Sequence, residues 1–206
     1  MTTRLELRTA VRRRLQDESV TPLWSDSTIN DFLADAMRRY GVWFPKEATA
    51  TILVASGASS FAVPAVSEPG RIARVSDDLS EVIPPLWASG VGNQLGPFAQ
   101  AWRWWNGTVS LAVPTSRTGN WTVEHRTGRS LPADDVTAVE IIPGDEEIVV
   151  LIAAATALRR QAVAEGKQGL GRARDPIALA AEAARLEADR LVAARRRRVR
   201  GGSLAS

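Results

Sequence analysis

The sequence predicts an α+β protein. It would have a four-helix bundle-like core, with two helices from each end of the chain, and an inserted antiparallel β sandwich or barrel. Apolar residues recur at helical spacing near both ends of the 206-residue chain. Between them, short β-branched and aromatic runs alternate with Gly, Pro, Ser and Asn, which is typical of a small antiparallel fold. Because domain termini commonly lie close together and tolerate insertion there, we assign residues 1–47 and 145–206 to the helical core and 48–144 to the insertion.

The first two helices are predicted from apolar stripes. One covers 4–16, where every fourth residue is apolar, and its other side is expected to carry four arginines: Leu7, Val11 and Leu15 against Arg8, Arg12, Arg13 and Arg14. The second begins after Ser25, Asp26 and Ser27, whose side-chain oxygens suit the free N–H groups of a helix start. Its stripe contains Ile29, Phe32, Leu33, Ala36, Met37 and Tyr40, and the helix is ended by Gly41 and Pro45.

The β insertion is predicted to hold seven short strands. They are Thr49–Ala55, Ser60–Val63, Arg71–Ser76, Val82–Trp87, Gln100–Trp105, Thr108–Val113 and Trp121–Arg126. The clearest unit is a hairpin around Asn106-Gly107, the preferred pair for a two-residue type I′ turn. Such a turn pairs Trp104 with Val109 and Trp102 with Leu111 on a core-facing side. It leaves Arg103 and Trp105 on the more polar side, where a protein contact is one interpretation.

Two further helices are predicted at the C-terminal end. Asp145, Glu146 and Glu147 favour a helix start, and the next three turns are mostly apolar. That helix is expected either at the centre of the helical core or against a neighbouring subunit. The stretch Gly166–Arg174 is predicted to be a loop, with Asp175-Pro176 opening an Ala-rich helix that runs to Arg200. Since its apolar residues are mostly small, we expect it to hold one close partner.

No catalytic, cofactor or metal site is predicted, so the protein is not expected to be an enzyme. The chain has no cysteine and one histidine, which excludes thiolate nucleophiles and Cys-ligated zinc. Phosphate-loop, zinc-protease and nucleophile-elbow motifs are absent, and Gly90–Gly96 only loosely matches a dinucleotide fingerprint. His125 is expected at the surface or a sheet edge, and Asp77, Asp78, Asp134 and Asp135 in turns. The charged N-terminus and the interrupted apolar runs predict no membrane segment.

Positive charge is concentrated at one end of the chain. The net charge is +3, but Arg172–Ser206 holds nine Arg and four acidic residues, a local charge of +5. Six arginines without an intervening acid form the candidate contact cluster: Arg190, Arg195, Arg196, Arg197, Arg198 and Arg200. The charge run alone leaves three interpretations open, namely contact with phosphate, contact with an acidic protein surface, or a solvated tail.

The N-terminal 40 residues resemble a known family. The pattern Leu5-x-Leu7-Arg8-x-x-Val11-Arg12-x-Arg14-Leu15-x-Asp17 is followed by Leu23-Trp24-Ser25-Asp26-x-x-Ile29-Asn30-x-Phe32-Leu33-x-Asp35-Ala36-x-Arg38-x-Tyr40. It is similar to the opening of the head-to-tail adaptor (connector) proteins of tailed bacteriophages. The Trp-Ser-Asp entry into the second helix, with Asn30 and Asp35, is its most specific part. The rest of the chain resembles the family only by layout.

The resemblance implies a structural virion protein of the neck, made in the bacterial host cytoplasm. Such proteins assemble as a ring, usually of twelve copies, between the portal protein and the next neck or tail protein, and double-stranded DNA passes through the lumen. No cofactor and no membrane would be involved. The C-terminal arginines would then contact portal or DNA, and Arg103 and Trp105 would face the tail.

Two other functions are considered. One is a nucleic-acid-binding protein that uses the C-terminal arginines together with Arg103 and Trp105. The other, the least favoured, is a carbohydrate-binding sandwich.

Overall fold

The chain divides into two compact units. A computed structural model describes residues 2–66, 71–86, 100–167 and 171–202, and in the last helix the side chains of 175–196. Over these ranges the fold is α+β, as predicted, with four helices and two antiparallel sheets. Met1–Phe44 and Gly128–Ser206 form a helical unit, and Pro45–Thr127 form a β unit.

The helical unit is built around its third helix. The four helices are α1 (Arg4–Leu15), α2 (Asp26–Trp43), α3 (Glu146–Lys167) and α4 (Gly171–Gly202). Helix α3 contacts each of the other three. Every residue from Ile148 to Ala154 is buried, which explains why its first turns are apolar on all sides. Of the two positions expected for this helix, the centre of the helical unit is the one observed.

The predicted stripes of α1 and α2 form much of this core. Leu7 and Val11 are buried and Leu15 is partly buried, while all six predicted residues of α2 are buried. Ser25 caps α2 as predicted, because its Oγ accepts a hydrogen bond from the Thr28 backbone N–H at 3.2 Å. Of the four arginines expected beside the stripe of α1, Arg8 is buried, at 8% exposed.

Helix α4 begins earlier than predicted. The expected loop over 166–174 is wrong, because Gly166 and Lys167 belong to α3 and residues 171–174 already belong to α4. Pro176 is the sixth residue of this helix, so the helix continues through a position that has no backbone donor. Alanines on both sides of it favour helix. The side that packs into the core is made of small residues, Ala181, Ala184, Ala188 and Val192.

The segment 128–144 belongs to the helical unit. The Val139 N–H donates to the Thr2 carbonyl at 2.8 Å, and Thr3 forms an isolated antiparallel bridge with Ala138. Arg129 Nε donates to the Phe44 carbonyl at 2.6 Å. The β unit therefore ends at Thr127, and not at residue 144, where the sequence pattern predicts the end of the insertion.

The β unit contains the seven predicted strands, each with adjusted ends. They are β1 (Lys46–Val54), β2 (Ser60–Ala62), β3 (Ile72–Ser76), β4 (Val82–Ile83), β5 (Trp102–Trp105), β6 (Thr108–Leu111) and β7 (Gly119–Thr127). One antiparallel sheet has the order β1-β7-β3-β4 and the other β2-β6-β5. The described strands form no closed barrel.

The hairpin of β5 and β6 has the predicted register. Trp104 pairs with Val109, and Trp102 pairs with Leu111. Asn106 and Gly107 both have positive φ, 46° and 78°, as a type I′ turn requires. Trp102 is buried, and its Nε1 donates to the Ile83 carbonyl at 2.9 Å. The two sheets share one core, in which the rings of Phe61 from β2 and Trp121 from β7 lie 5.5 Å apart.

The expectation that His125 lies at the surface or a sheet edge is wrong. Strand β7 is paired by β1 on one side and by β3 on the other, and His125 is 4% exposed. Because side chains alternate along a strand, His125 shares the buried face of Trp121 and Val123. Its Nδ1 lies 3.3 Å from the Val123 carbonyl oxygen. The histidine is therefore part of the packed interior.

Candidate interaction surfaces

The C-terminal arginines have unequal surroundings. Arg190 and Arg196 are exposed, and neither forms an ion pair with any residue that the structure describes. Arg195 is different, because its Nε lies 3.4 Å from Asp145 Oδ1 and its side chain is 30% exposed. Arg197, Arg198 and Arg200 belong to α4, and their side chains lie outside the described part of the chain. Within the predicted cluster, Arg190 and Arg196 are thus the two arginines whose described side chains are exposed and able to contact a partner.

Asp145 joins the start of α3 to α2 and α4. It is 4% exposed, and its Oδ2 accepts a hydrogen bond from the Tyr40 hydroxyl at 2.8 Å. The Ile142 N–H donates to the same hydroxyl oxygen at 3.2 Å. Arg195 Nε makes the ion pair without hydrogen-bond geometry. The sequence indicates Asp145 only as part of a helix start, because nothing in the local spacing predicts its two distant partners.

Burial raises the pKa of Tyr40, and the hydrogen bond to the Asp145 carboxylate raises it further. The guanidinium of Arg129 lies 5.7 Å from the centre of the Tyr40 ring. Gly41 allows this close approach, since a Cβ there would lie 2.8 Å from the Arg129 backbone nitrogen. The phenol is therefore held protonated inside the helical unit.

The arginines of α1 are bound by carboxylates of the same unit. Arg8 Nη2 donates to Asp135 Oδ2 at 2.9 Å and Arg4 Nε donates to Asp135 Oδ1 at 2.6 Å. These bonds, from Arg8 first and Arg4 second, lower the pKa of the Asp135 carboxyl. Arg12 binds Asp17 at 3.0 Å and Asp26 at 2.6 Å. This part of α1 is therefore an internal ion network, and it offers little free positive charge to a partner.

The predicted turn residues divide into two kinds. Asp77 accepts from the Leu79 and Glu81 N–H groups, and Asp134 accepts from those of Val136 and Thr137, so both are turn residues as expected. Asp135 is in addition the partner of two arginines, and sequence analysis missed this role.

The β5–β6 hairpin carries the second predicted contact site, Arg103 and Trp105. Trp105 is 77% exposed and Arg103 is exposed, and they share one side of the edge strand β5. The cross-strand neighbours on that side are small and hydroxylic, Thr108 opposite Trp105 and Ser110 opposite Arg103. An exposed Trp beside an Arg is a common composition of protein contact sites.

Other chemistry has little support in the described residues. No group of three or more His, Cys, Asp or Glu suitable for a metal ion occurs among them. None of the described helices combines the length and the apolar character needed to cross a bilayer. Trp87 and the Gly90–Gly96 stretch lie outside the described residues.

Comparison with known proteins adds no family. No protein-family model matches this chain, and no curated protein matches it significantly.

Proposed function

We propose that this chain is a head-to-tail adaptor of a tailed bacteriophage. It would form a ring between the portal and the next neck or tail protein, with double-stranded DNA passing through the lumen. In this proposal the four helices pack as a bundle around α3, the two sheets pack as a sandwich, and the protein performs no catalysis. It would be made in the host cytoplasm and reside in the neck of the virion.

The observation that carries the proposal is that several residues of the family resemblance contact one another around the linker between α1 and α2. Asp17 accepts from the Leu23 N–H at 2.6 Å, so it fixes the linker between α1 and α2. Arg12 Nη2 reaches the Trp24 carbonyl at 3.0 Å as well as Asp26. The Trp24 ring packs edge-to-face on Phe32 at 5.4 Å.

These contacts explain why these residue types occur together. Each polar member satisfies a group on the neighbouring helix or linker, so a change in one leaves another without its partner. The same pattern would therefore be expected in proteins that share this α1–α2 pair. The layout agrees as well, because the β unit interrupts a helical unit between its second and third helices.

The proposal is tested by mixing the chain with a portal protein from the same phage genome. We expect negative-stain electron micrographs to show rings on the portal, and the two proteins to co-sediment. A chain that remains monomeric and separates from portal would contradict the proposal.

A truncation tests the role of the arginines. Val192 is buried and Arg195 contacts Asp145. Removal of residues 196–206 therefore takes away four of the six arginines of the cluster, keeps Arg190, and preserves these two contacts. We expect portal binding to fall and the thermal midpoint to change little. The matched control replaces Arg13 and Arg38, exposed arginines elsewhere in the helical unit, with Gln. Binding that survives the truncation would refute this assignment.

Nucleic-acid binding remains the second candidate, because Arg190 and Arg196 have no carboxylate partner among the described residues. If these cations bind phosphate, the affinity for double-stranded DNA should fall steeply as salt rises. Weak binding with a flat salt dependence would favour the adaptor.

A further inference from the structure

Strand β1 forms an open edge of its sheet. It is nine residues long, Lys46–Val54, and pairs with β7 on one side only. In an antiparallel pair, every second residue directs its N–H and C=O groups away from the partner strand. Over residues 47–54 these outward groups make no hydrogen bond with any part of the chain that the structure describes. The strand therefore presents a row of unpaired donors and acceptors from about four residues.

This edge lacks the features by which proteins protect edge strands. Charged side chains, proline, a β-bulge or a very short strand normally prevent pairing with another molecule. Residues 48–54 contain no charge and no proline, and the register with β7 runs from Lys46 to Val54 without a bulge. The edge is therefore competent to pair with a further strand.

The other described strands offer no comparable edge. Strand β4 has two residues and is followed by Pro84 and Pro85, and β2 has three residues. Strand β5 is bridged in parallel at Trp102 by Pro85. A matching open edge of the same length is therefore found on β1 of a second copy.

The side chains at this edge also suit a second copy of the same strand. Ala50 and Ile52 lie on the core-facing side of β1 and are only partly buried, so a neighbouring strand would cover them further. On the other side Thr51 is exposed and Leu53 is 70% exposed. None of these side chains carries a charge, so two copies of this edge do not repel each other.

We propose that β1 of one copy pairs antiparallel with β1 of a second copy about a two-fold axis at Thr51. Thr51 is the middle of the uncharged stretch 48–54, so this register keeps Lys46 and Glu47 of each copy beyond the end of the other strand. An axis perpendicular to the sheet keeps both cores on one side and joins the two four-stranded sheets into one. The inference does not rest on the adaptor proposal, because a two-fold contact joins two copies and then stops.

Sedimentation of the full chain alone tests the pairing. We expect a reversible dimer at micromolar concentration that dissociates on dilution, because an edge contact buries little surface area. A chain that stays monomeric up to its solubility limit would overturn the inference, even if the same chain bound portal.

Charge at the axis tests the register. Thr51→Lys and Thr51→Glu each place two like charges opposite one another in the dimer, so each should weaken self-association about tenfold. An equal mixture of the two variants should recover most of the loss, because unlike charges then meet. The control is Asn120→Lys, which should dimerise like the wild type, since Asn120 is exposed on the same side of β7, one strand away from the edge. Dimerisation that is insensitive to charge at Thr51, or a mixture that does not recover, would reject this pairing.

Hydrogen exchange separates the β1 edge from other surfaces. The outward amides of β1 should exchange slowly in the wild-type dimer and rapidly in Thr51→Lys. The amides bonded to β7 should stay slow in both proteins, which shows that the β unit remains folded. Mass spectrometry of a peptide that spans residues 46–54 measures both classes. A dimer whose outward amides exchange as fast as those of the variant would place the contact elsewhere and overturn the inference.

Discussion

Tyr40 is the one tyrosine of the chain, and its side chain is 0% exposed. It donates to Asp145, which also faces Arg195, so a single buried carboxylate connects α2, α3 and α4. Removing the donor of a hydrogen bond to a buried carboxylate costs more free energy than losing an average hydrogen bond. The carboxylate stays buried, but the bond that offsets its desolvation is gone. The three-residue contact is therefore a stability determinant of the helical unit.

We expect Tyr40→Phe to destabilise the protein by about 1–3 kcal/mol near neutral pH. The pKa of Tyr40 is raised in the folded state, so its contribution is complete below the ordinary value of 10.0 and is lost as pH rises above it. Denaturant unfolding at a series of pH values should show a steeper alkaline loss for the wild type than for the variant. The ultraviolet absorbance of tyrosinate should appear only as the protein unfolds. Tyrosinate formation in the still-folded protein near pH 10 would contradict the assignment.

Asp135 has the opposite pH dependence. Its pKa is lowered in the folded state from the ordinary 3.8, so its contribution is present above that value and is lost as pH falls through the lowered pKa. We expect Asp135→Asn to lower the free energy of unfolding at neutral pH. We also expect the variant to lose less of that free energy than the wild type as the pH falls below about 4. Asp31→Asn, at an exposed position of α2, is the control and should leave both unchanged. An equal acid dependence in wild type and Asp135→Asn would contradict the role of the Arg4 and Arg8 bonds.

At the scale of elements, local spacing predicted most of the fold. The stripes of α1 and α2 and the register of the β5–β6 hairpin follow from periods of 3.6 and 2 and from one Asn-Gly turn. Burial of Arg8 could not be predicted in this way, because its partner Asp135 is 127 residues away in the chain. His125 was predictable, since it continues the alternation of Trp121 and Val123. The sequence predicts the arginine cluster at the end of α4 from its charge, but it does not predict the ion pair between Arg195 and Asp145.

The close packing of α4 on the core depends on alanine. Ala188 is 1% exposed and belongs to the helical core. We expect Ala188→Leu to overpack this site and cost about 1–3 kcal/mol. Ala180→Leu, on an exposed position of the same helix, should be nearly neutral. Thermal unfolding of both variants checks the prediction, and equal midpoints would show that α4 is not packed closely there.

At the scale of the whole molecule, the two crossings between the units lie side by side. Lys46 pairs with Thr127 at the ends of β1 and β7, and paired strands bring their backbones within about 5 Å. The chain therefore leaves and re-enters the helical unit at nearly one point. This arrangement is the one in which a unit can be inserted without separating the helices that it interrupts.

We expect the helical unit to fold without its insertion. A variant in which residues 45–127 are replaced by a Gly/Ser linker of about six residues should keep helical circular dichroism and cooperative unfolding. The absorbance of Tyr40 should still show a protonated phenol above pH 10. Loss of cooperative unfolding would mean that the helical unit depends on the β unit.

The length of α4 has a consequence for any partner of its arginines. The helix continues ten residues past Val192 to Gly202, an extension of about 15 Å, and Val192 is the last buried residue among the α4 side chains that the structure describes. The cations lie at the C-terminal end of this helix, where the aligned peptide dipoles are negative, and they stabilise its last turns. A partner that binds these cations would therefore meet a segment that is already helical, and its binding would not have to overcome the entropy of ordering that segment.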